Sequence, residues 1–205
     1  YKIAFASDIA LGNINFQIQV TASSSEYNYY RTLEYKNIIV SINQLGFPLS
    51  GIEFKSNSSP LVIDWNHDGN NEIIFGDKSG FIRIFNSEGL QINHEIFPYD
   101  TGNEIWGSAA AADMDGDGLT DFAITSKSKY LYIFDQNGLK TGYNANKYLV
   151  GTPAIGNLDD DDELEVVVSG YSSSNQLFVV NHDGSDVDGF PFVLDEKTKA
   201  GVALA

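Results

Sequence analysis

Apolar residues along this chain come in short runs bounded by polar or glycine-containing turns, and the runs recur in a fixed order. A run rich in small residues (SPLVI, SAAAA, TPAIG) leads into an acidic segment. A β-branched or aromatic run follows (IIFG, FAIT, VVVSG), then a turn and a second such run (FIRIF, YLYIF, QLFVV), then a polar turn (SEG, QNG, HDG) and a less regular stretch. Short turn-bounded runs of this composition predict strands, and no segment sustains the 3.6-residue period of an amphipathic helix. The alanine-rich GSAAAAD is too short to nucleate a helix before the acidic segment interrupts it. The chain is therefore expected to be all-β.

The order repeats. The acidic segments begin at positions 64, 113 and 157, spacings of 49 and 44, and DIALGNINFQIQV from Asp8 is a weaker copy that aligns Asn13 with Asn157. Four repeats result, at approximately 7–56, 57–104, 105–148 and 149–198, and residues 200–205 match the first strand of a further unit. Four strands per ~45–50 residues is the period of a β-propeller blade. The expectation is a β-propeller of four-stranded antiparallel blades, with about four blades in one domain over 1–205. Since propellers more often carry about six to eight blades, these read as an arc of a larger ring. Residue size agrees: first strands carry Ala, Gly and Ser, which suit a crowded axis, and later strands carry Ile, Val, Phe and Tyr, which suit stacking between blades.

Charge changes the picture next. The 205 residues hold 28 acidic and 12 basic side chains, a formal charge of -16, which opposes nucleic acid and anionic membranes. No apolar run approaches the ~18 residues of a membrane span, and no signal-peptide pattern opens the chain, so a soluble protein with any export signal outside this sequence is expected. The absence of cysteine excludes disulfides, thiol catalysis and Cys-based metal sites. The acid is concentrated: DWNHDGNNE, DMDGDGLTD and NLDDDDELE hold 13 of the 28 acids, each between two predicted strands. A solvated tail would not be bracketed in this way.

Within the second segment Asp113, Asp115, Asp117 and Asp121 occupy positions 1, 3, 5 and 9, with Leu119 at position 7 placed to offer its backbone carbonyl. Alternate spacing turns successive oxygens toward one centre, and glycine at position 6 permits the sharp turn around an ion. The first loop supplies Asp64, Asn66, Asp68, Asn70 through its carbonyl, and Glu72; the third supplies Asn157, Asp159, Asp161, Glu163 through its carbonyl, and Glu165. Position 6 of the third loop is Asp162, expected in the left-handed conformation at some cost. Hard oxygen donors in a nearly all-protein cage suit Ca²⁺ better than Mg²⁺ or zinc, and about three ions are expected. The repeat near Asn13 lacks carboxylates and is expected to hold none. An EF-hand opens similarly, but its last ligand stands at position 12 before a helix; here the acid stands at position 9 before β-formers.

The loops at Asp64 and Asp113, the variant at Asn157, the small-residue strands before them and turns such as Asn181-His182-Asp183-Gly184 resemble the FG-GAP/VCBS-type repeats of integrin α-subunit propellers and of many secreted bacterial proteins. The resemblance spans nearly the whole chain and implies an extracellular propeller with Ca²⁺ between a blade's first and second strands. The first repeat has lost its loop, and no proper Phe-Gly…Gly-Ala-Pro signature is readable in the chain, which favours the VCBS-like branch over a true integrin. The family does not specify function.

Enzyme signatures are lacking. His67, His94 and His182 read as exposed turn residues, and no phosphate-binding glycine pattern occurs. One segment looks like a recognition element: TASSSEYNYYRTLEYKN lengthens the first repeat and carries Tyr27, Tyr29, Tyr30, Arg31 and Tyr35, residue types enriched at binding surfaces. The alternative is an extended hairpin whose tyrosines pack on a neighbouring blade. The leading expectation is an extracellular, secreted or cell-surface module, calcium-stabilised and non-catalytic, that binds or adheres to protein or glycan. Its other expected partners are the remaining blades or domains of its own chain. The alternative is the propeller of a secreted enzyme such as a polysaccharide lyase, or the accessory domain of a secreted hydrolase.

Overall fold

The computed structural model describes residues 12–23, 25, 28–40, 47, 49, 54–92, 96–159, 161–172, 175–195 and 198–203. The chain divides into two compact units, Tyr1–Pro48 and Leu49–Ala205. In the first, strands β1 (Gly12–Ser23) and β2 (Asn28–Val40) form an antiparallel hairpin with a register shift between Ile14 and Phe16. The tyrosine-rich segment is largely strand: Tyr29, Tyr30, Arg31 and Tyr35 pair with Ala22, Thr21, Val20 and Phe16. Tyr27 lies outside the described residues.

The second unit is built of blades. Strands β3 (Leu61–Ile63), β4 (Glu72–Gly76), β5 (Phe81–Phe85) and β6 (Tyr99–Asp100) form one four-stranded antiparallel sheet in sequence order. Strands β7 (Ala110–Ala112), β8 (Asp121–Thr125), β9 (Tyr130–Asp135) and β10 (Gly138–Asn144) form the next. The third blade departs from the expected four strands. Its β11 (Tyr148–Leu149) and β12 (Ala154–Gly156) both pair with β13 (Glu165–Tyr171), and β14 (Asn175–Val180) and β15 (Phe192–Leu194) complete it. The reason is length: β12 pairs only with Glu165 to Val167, which leaves Gly170 and Tyr171 free to pair with Leu149 and Tyr148. Among the described residues there is no helix, and thus none long and apolar enough to cross a membrane.

Strand alternation divides the core between two blade interfaces. From the middle blade, Phe122, Ile124, Tyr132 and Phe134 pack with Ile74, Ile82, Ile84, Phe97 and Ile105. The intervening Ala123, Leu131 and Ile133 pack instead with Val166, Val168, Phe178 and Val180. Both faces of β8 are therefore buried, and its side chains read as a continuous apolar run after Asp121 rather than as an alternation. The first interface is aromatic: Phe122 stacks on Phe134 at 4.9 Å, and Trp65 meets Phe97 and Phe122 edge-on at 5.8 and 5.7 Å.

Where the innermost segments begin, the backbones nearly touch. A Cβ on Gly107 would lie 2.4 Å from the Gly151 carbonyl oxygen, and a Cβ on Gly151 would lie 2.5 Å from that of Ala200. Hydroxyls link the same turns: Ser59 N–H donates to Ser108 Oγ at 2.8 Å, and Ser108 N–H donates to Thr152 Oγ1 at 3.0 Å. Small residues open these strands because neighbouring backbones leave no room for larger ones.

Candidate metal centres

The three acidic loops join β3 to β4, β7 to β8 and β12 to β13, so each leaves a short inner strand and enters a buried one. Their internal hydrogen bonds share one register. The carboxylate or amide oxygen at position 3 accepts the N–H of position 5: Asn66 from Asp68 at 3.0 Å, Asp115 from Asp117 at 3.3 Å, Asp159 from Asp161 at 3.0 Å. The carboxylate at position 5 accepts the N–H of position 7: Asp68 from Asn70 at 2.8 Å, Asp117 from Leu119 at 2.8 Å, Asp161 from Glu163 at 2.9 Å. Each side chain thus folds the loop with one oxygen and retains lone pairs for a second partner.

Position 9 does something different. Glu72, Asp121 and Glu165 are buried, at 0%, 2% and 1% exposure, and each accepts the N–H of position 2. These are Trp65 at 3.0 Å, Met114 at 3.3 Å and Leu158 at 2.6 Å. Burial pushes all three carboxyls above their ordinary pKa, because a charge shielded from water by protein is disfavoured without a compensating cation. Glu72 Oε1 and Asp113 Oδ1 are buried with no hydrogen-bond partner. Orphaned anionic oxygens in an all-oxygen donor set fit a hard divalent cation.

The loops differ in how far their acids converge. Among the described residues, Asp113, Asp115 and Asp117 bring one oxygen each within 4.8 Å of one another, as do Asp159, Asp161 and Glu165. Asp64, Asp68 and Glu72 make no such group. In this loop the side-chain amides of Asn66 and Asn70 donate to the two oxygens of Asp68 at 3.2 and 3.0 Å. Hydrogen bonds from Asn70, backbone first, also hold the Asp68 carboxyl below its ordinary pKa.

Position 6 separates the third loop from the others. Gly69 and Gly118 have φ of 87° and 85°, and their N–H groups donate to the position-1 carboxylates of Asp64 and Asp113 at 3.0 and 2.9 Å. Asp162 was expected in the same conformation. The described non-glycine residues with positive φ are His67, Lys129 and Asn146, so the expectation for Asp162 is corrected. An L side chain at this point avoids the left-handed region, and Asn157 takes a different bond, donating through Nδ2 to the Asp161 carbonyl.

Several polar residues at these loops carried no local signal. Lys140, on β10, places Nζ 2.5 Å from Asp115 Oδ2 and 3.6 Å from Asp121 Oδ2. The hydrogen bond from Lys140 holds the Asp115 carboxyl below its ordinary pKa. Gln136 Nε2 donates to the carbonyls of Trp65 and Thr120, bridging the first and second loops. His67 Nε2 accepts the Thr120 N–H at 3.1 Å. Leu164 N–H donates to the Met114 carbonyl at 2.9 Å, joining the second and third loops. His182 is half-buried and places Nε2 2.7 Å from Glu163 Oε2, which corrects its reading as an exposed turn residue; His94 lies outside the described residues. The repeat order could have drawn attention to Lys140, a lone base in the outermost strand of a blade whose loop is otherwise acidic.

Comparison with known proteins bears on this geometry. Residues 64–124 match the model of the FG-GAP-like repeat. No curated protein matches the chain. A solved structure described as the crystal structure of BBS1N in complex with ARL6DN, soaked with lead, superposes with a TM-score of 0.50 at 13% identity. The match covers 75% of this chain and 48% of that one, so the chain spans about half the length of the structure it resembles, and the likeness is one of fold. The segment from Asp64 to Ile124, which contains the first two acidic loops, is thus similar to an FG-GAP-like repeat.

Proposed function

We propose that this protein is an extracellular β-propeller module, stabilised by Ca²⁺ in its acidic loops, that binds a protein or glycan without catalysing a reaction. The observation that carries the reading is the buried carboxylate at position 9 in three successive loops, each beside further acids and each disfavoured in its charged form by burial. Asp64, Asn66, Asp68, Asn70 and Glu72 would hold one ion. Asp113, Asp115, Asp117, Leu119 and Asp121 would hold a second, and Asn157, Asp159, Asp161, Glu163 and Glu165 a third. Three bound ions would bring the formal charge from -16 to about -10. The ion's part is structural: it neutralises the acids and fixes the turn that leads into each buried strand.

The β1–β2 hairpin with Tyr27, Tyr29, Tyr30, Arg31 and Tyr35 is the proposed partner surface. Its strands are the longest of the described chain, and tyrosine supplies large contact area at small entropic cost. Scanning calorimetry of the chain in EDTA and in 1 mM CaCl₂, with elemental analysis of the dialysed protein, tests the metal reading. A rise in melting temperature with bound calcium is expected; identical melting with no bound ion would overturn it. Binding to a panel of immobilised glycans tests the surface, where Tyr29→Ala with Tyr30→Ala should abolish capture at unchanged melting temperature.

A further inference from the structure

We infer that Lys140 is a tethered competitor for the cation of the second loop: its ammonium neutralises Asp115 and Asp121 when metal is absent and has to be displaced when metal enters. The inference rests on the cation reading above. It starts from a contrast between loops of the same register. In the third loop the position-9 acid converges with its neighbours, Glu165 with Asp159 and Asp161. In the second loop Asp121 stays out of the corresponding group, and Lys140 Nζ lies in contact with Asp115 and Asp121 together. The ammonium fills the corner that an ion would share.

The free lone pairs support displacement rather than coexistence. Asp115 engages Asp117 N–H through Oδ1 and Lys140 through Oδ2, while Asp121 Oδ2 holds both Met114 N–H and the outer contact with Lys140. A divalent ion taking Asp115 Oδ2 would sit within a few ångströms of a half-buried ammonium, and like charges at that range repel strongly when only partly screened. The lysine stem is flexible, so Nζ can swing out to water as the ion arrives. Different groups face the other loops: amides of Asn66 and Asn70 in the first, the His182 imidazole beside Glu163 in the third. Among the described residues, the second loop, with four carboxylates in nine residues, is the one that has an ammonium against two of its ligands. Lys140 therefore lowers the metal affinity of this loop and lessens its dependence on metal for order.

The test compares the wild-type chain with Lys140→Met, which keeps an unbranched stem without the charge, and with Lys140→Gln in case the first variant folds poorly. Calorimetric titration of EDTA-stripped protein with CaCl₂ is expected to show one site tightened at least tenfold in the variant and the others unchanged. Asp117→Asn added to either background should remove the tightened site, which assigns it to the second loop. In EDTA the variant should melt lower than the wild type, and in 1 mM CaCl₂ the gap should close. Equal affinity for that site, or equal melting in EDTA, would overturn the inference while leaving the calcium reading intact. No calcium binding in any variant would overturn the reading itself.

Discussion

The carboxylate of Glu72 accepts the backbone N–H of Trp65 at 3.0 Å, and this bond ties an acidic loop to the aromatic core. The indole of Trp65 is buried against Phe97 and Phe122, so a loop that opens must also loosen the first blade interface. Met114 holds the same place in the second loop and is fully buried in the second interface. Removal of calcium should therefore be reported by Trp65. With Trp106→Phe to isolate its signal, emission should shift to the red and become more accessible to acrylamide in EDTA, and revert in calcium.

The size of the calcium effect can be estimated. An extracellular-type site with Kd on the order of 0.1 mM, in about 1 mM calcium, gains about 1.4 kcal/mol by linkage. A domain of this size shifts by about 2–4 °C per kcal/mol. Each loop silenced by Asn substitution of its acids at positions 3 and 5, position 5 alone in the first loop where Asn66 already stands at position 3, should narrow the gap between the melting temperatures in calcium and in EDTA by a few degrees.

The pH dependence of the metal-free protein has a definite sign. Glu72, Asp121 and Glu165 have carboxyls raised by burial, so their favourable contribution is present below the unfolded pKa and is lost as pH rises through the folded value. Asp68 and Asp115 are lowered and act in the opposite sense, losing stability as pH falls through their folded values. In EDTA, Glu72→Gln should melt above the wild type at neutral pH, and the difference should vanish on acidification through the carboxylate range. A variant that melts lower at pH 7 and stays lower at acid pH would show that Glu72 acts through shape rather than charge.

Backbone conformation at position 6 can be tested apart from packing, because a Cβ on Gly118 would meet nothing within 4 Å. Gly118→Ala should cost about 1–2 kcal/mol through its φ of 85°. Asp162→Ala, at a residue without positive φ, should change stability by no more than about 0.5 kcal/mol. Denaturant unfolding in EDTA measures both.

Close approach at the inner strands predicts a different failure. Gly151→Ala drives a Cβ to 2.5 Å from the Ala200 carbonyl, a backbone atom that cannot rotate away. Overpacking of this kind should cost about 1–3 kcal/mol. Thr152→Ser, which keeps the hydroxyl that Ser108 N–H reaches, should be well tolerated under the same unfolding assay.

What the sequence determined by itself was whatever local pattern encodes. The strands around IIFG, FAIT and VVVSG, the loops between them and the acid at position 9 were all legible, because strand propensity, turn chemistry and alternate spacing act over a few residues. The left-handed glycines at 69 and 118 belong to the same class. Tertiary structure decided what depends on partners far along the chain. Lys140 reaches Asp115 because β10 pairs with β9 and β9 with β8, and Lys140 stands at the register shift between Leu139 and Thr141, which brings residues 25 apart into contact. His182 meets Glu163, Gln136 bridges two loops and β11 finds the free end of β13 for the same reason. Asp162 shows the limit from the other side: the motif placed a left-handed residue there, but the steric cost of a Cβ outweighed the pattern and the loop chose another bond. Spacing identifies the acids of each loop; the charge that faces them is set by which strands lie alongside.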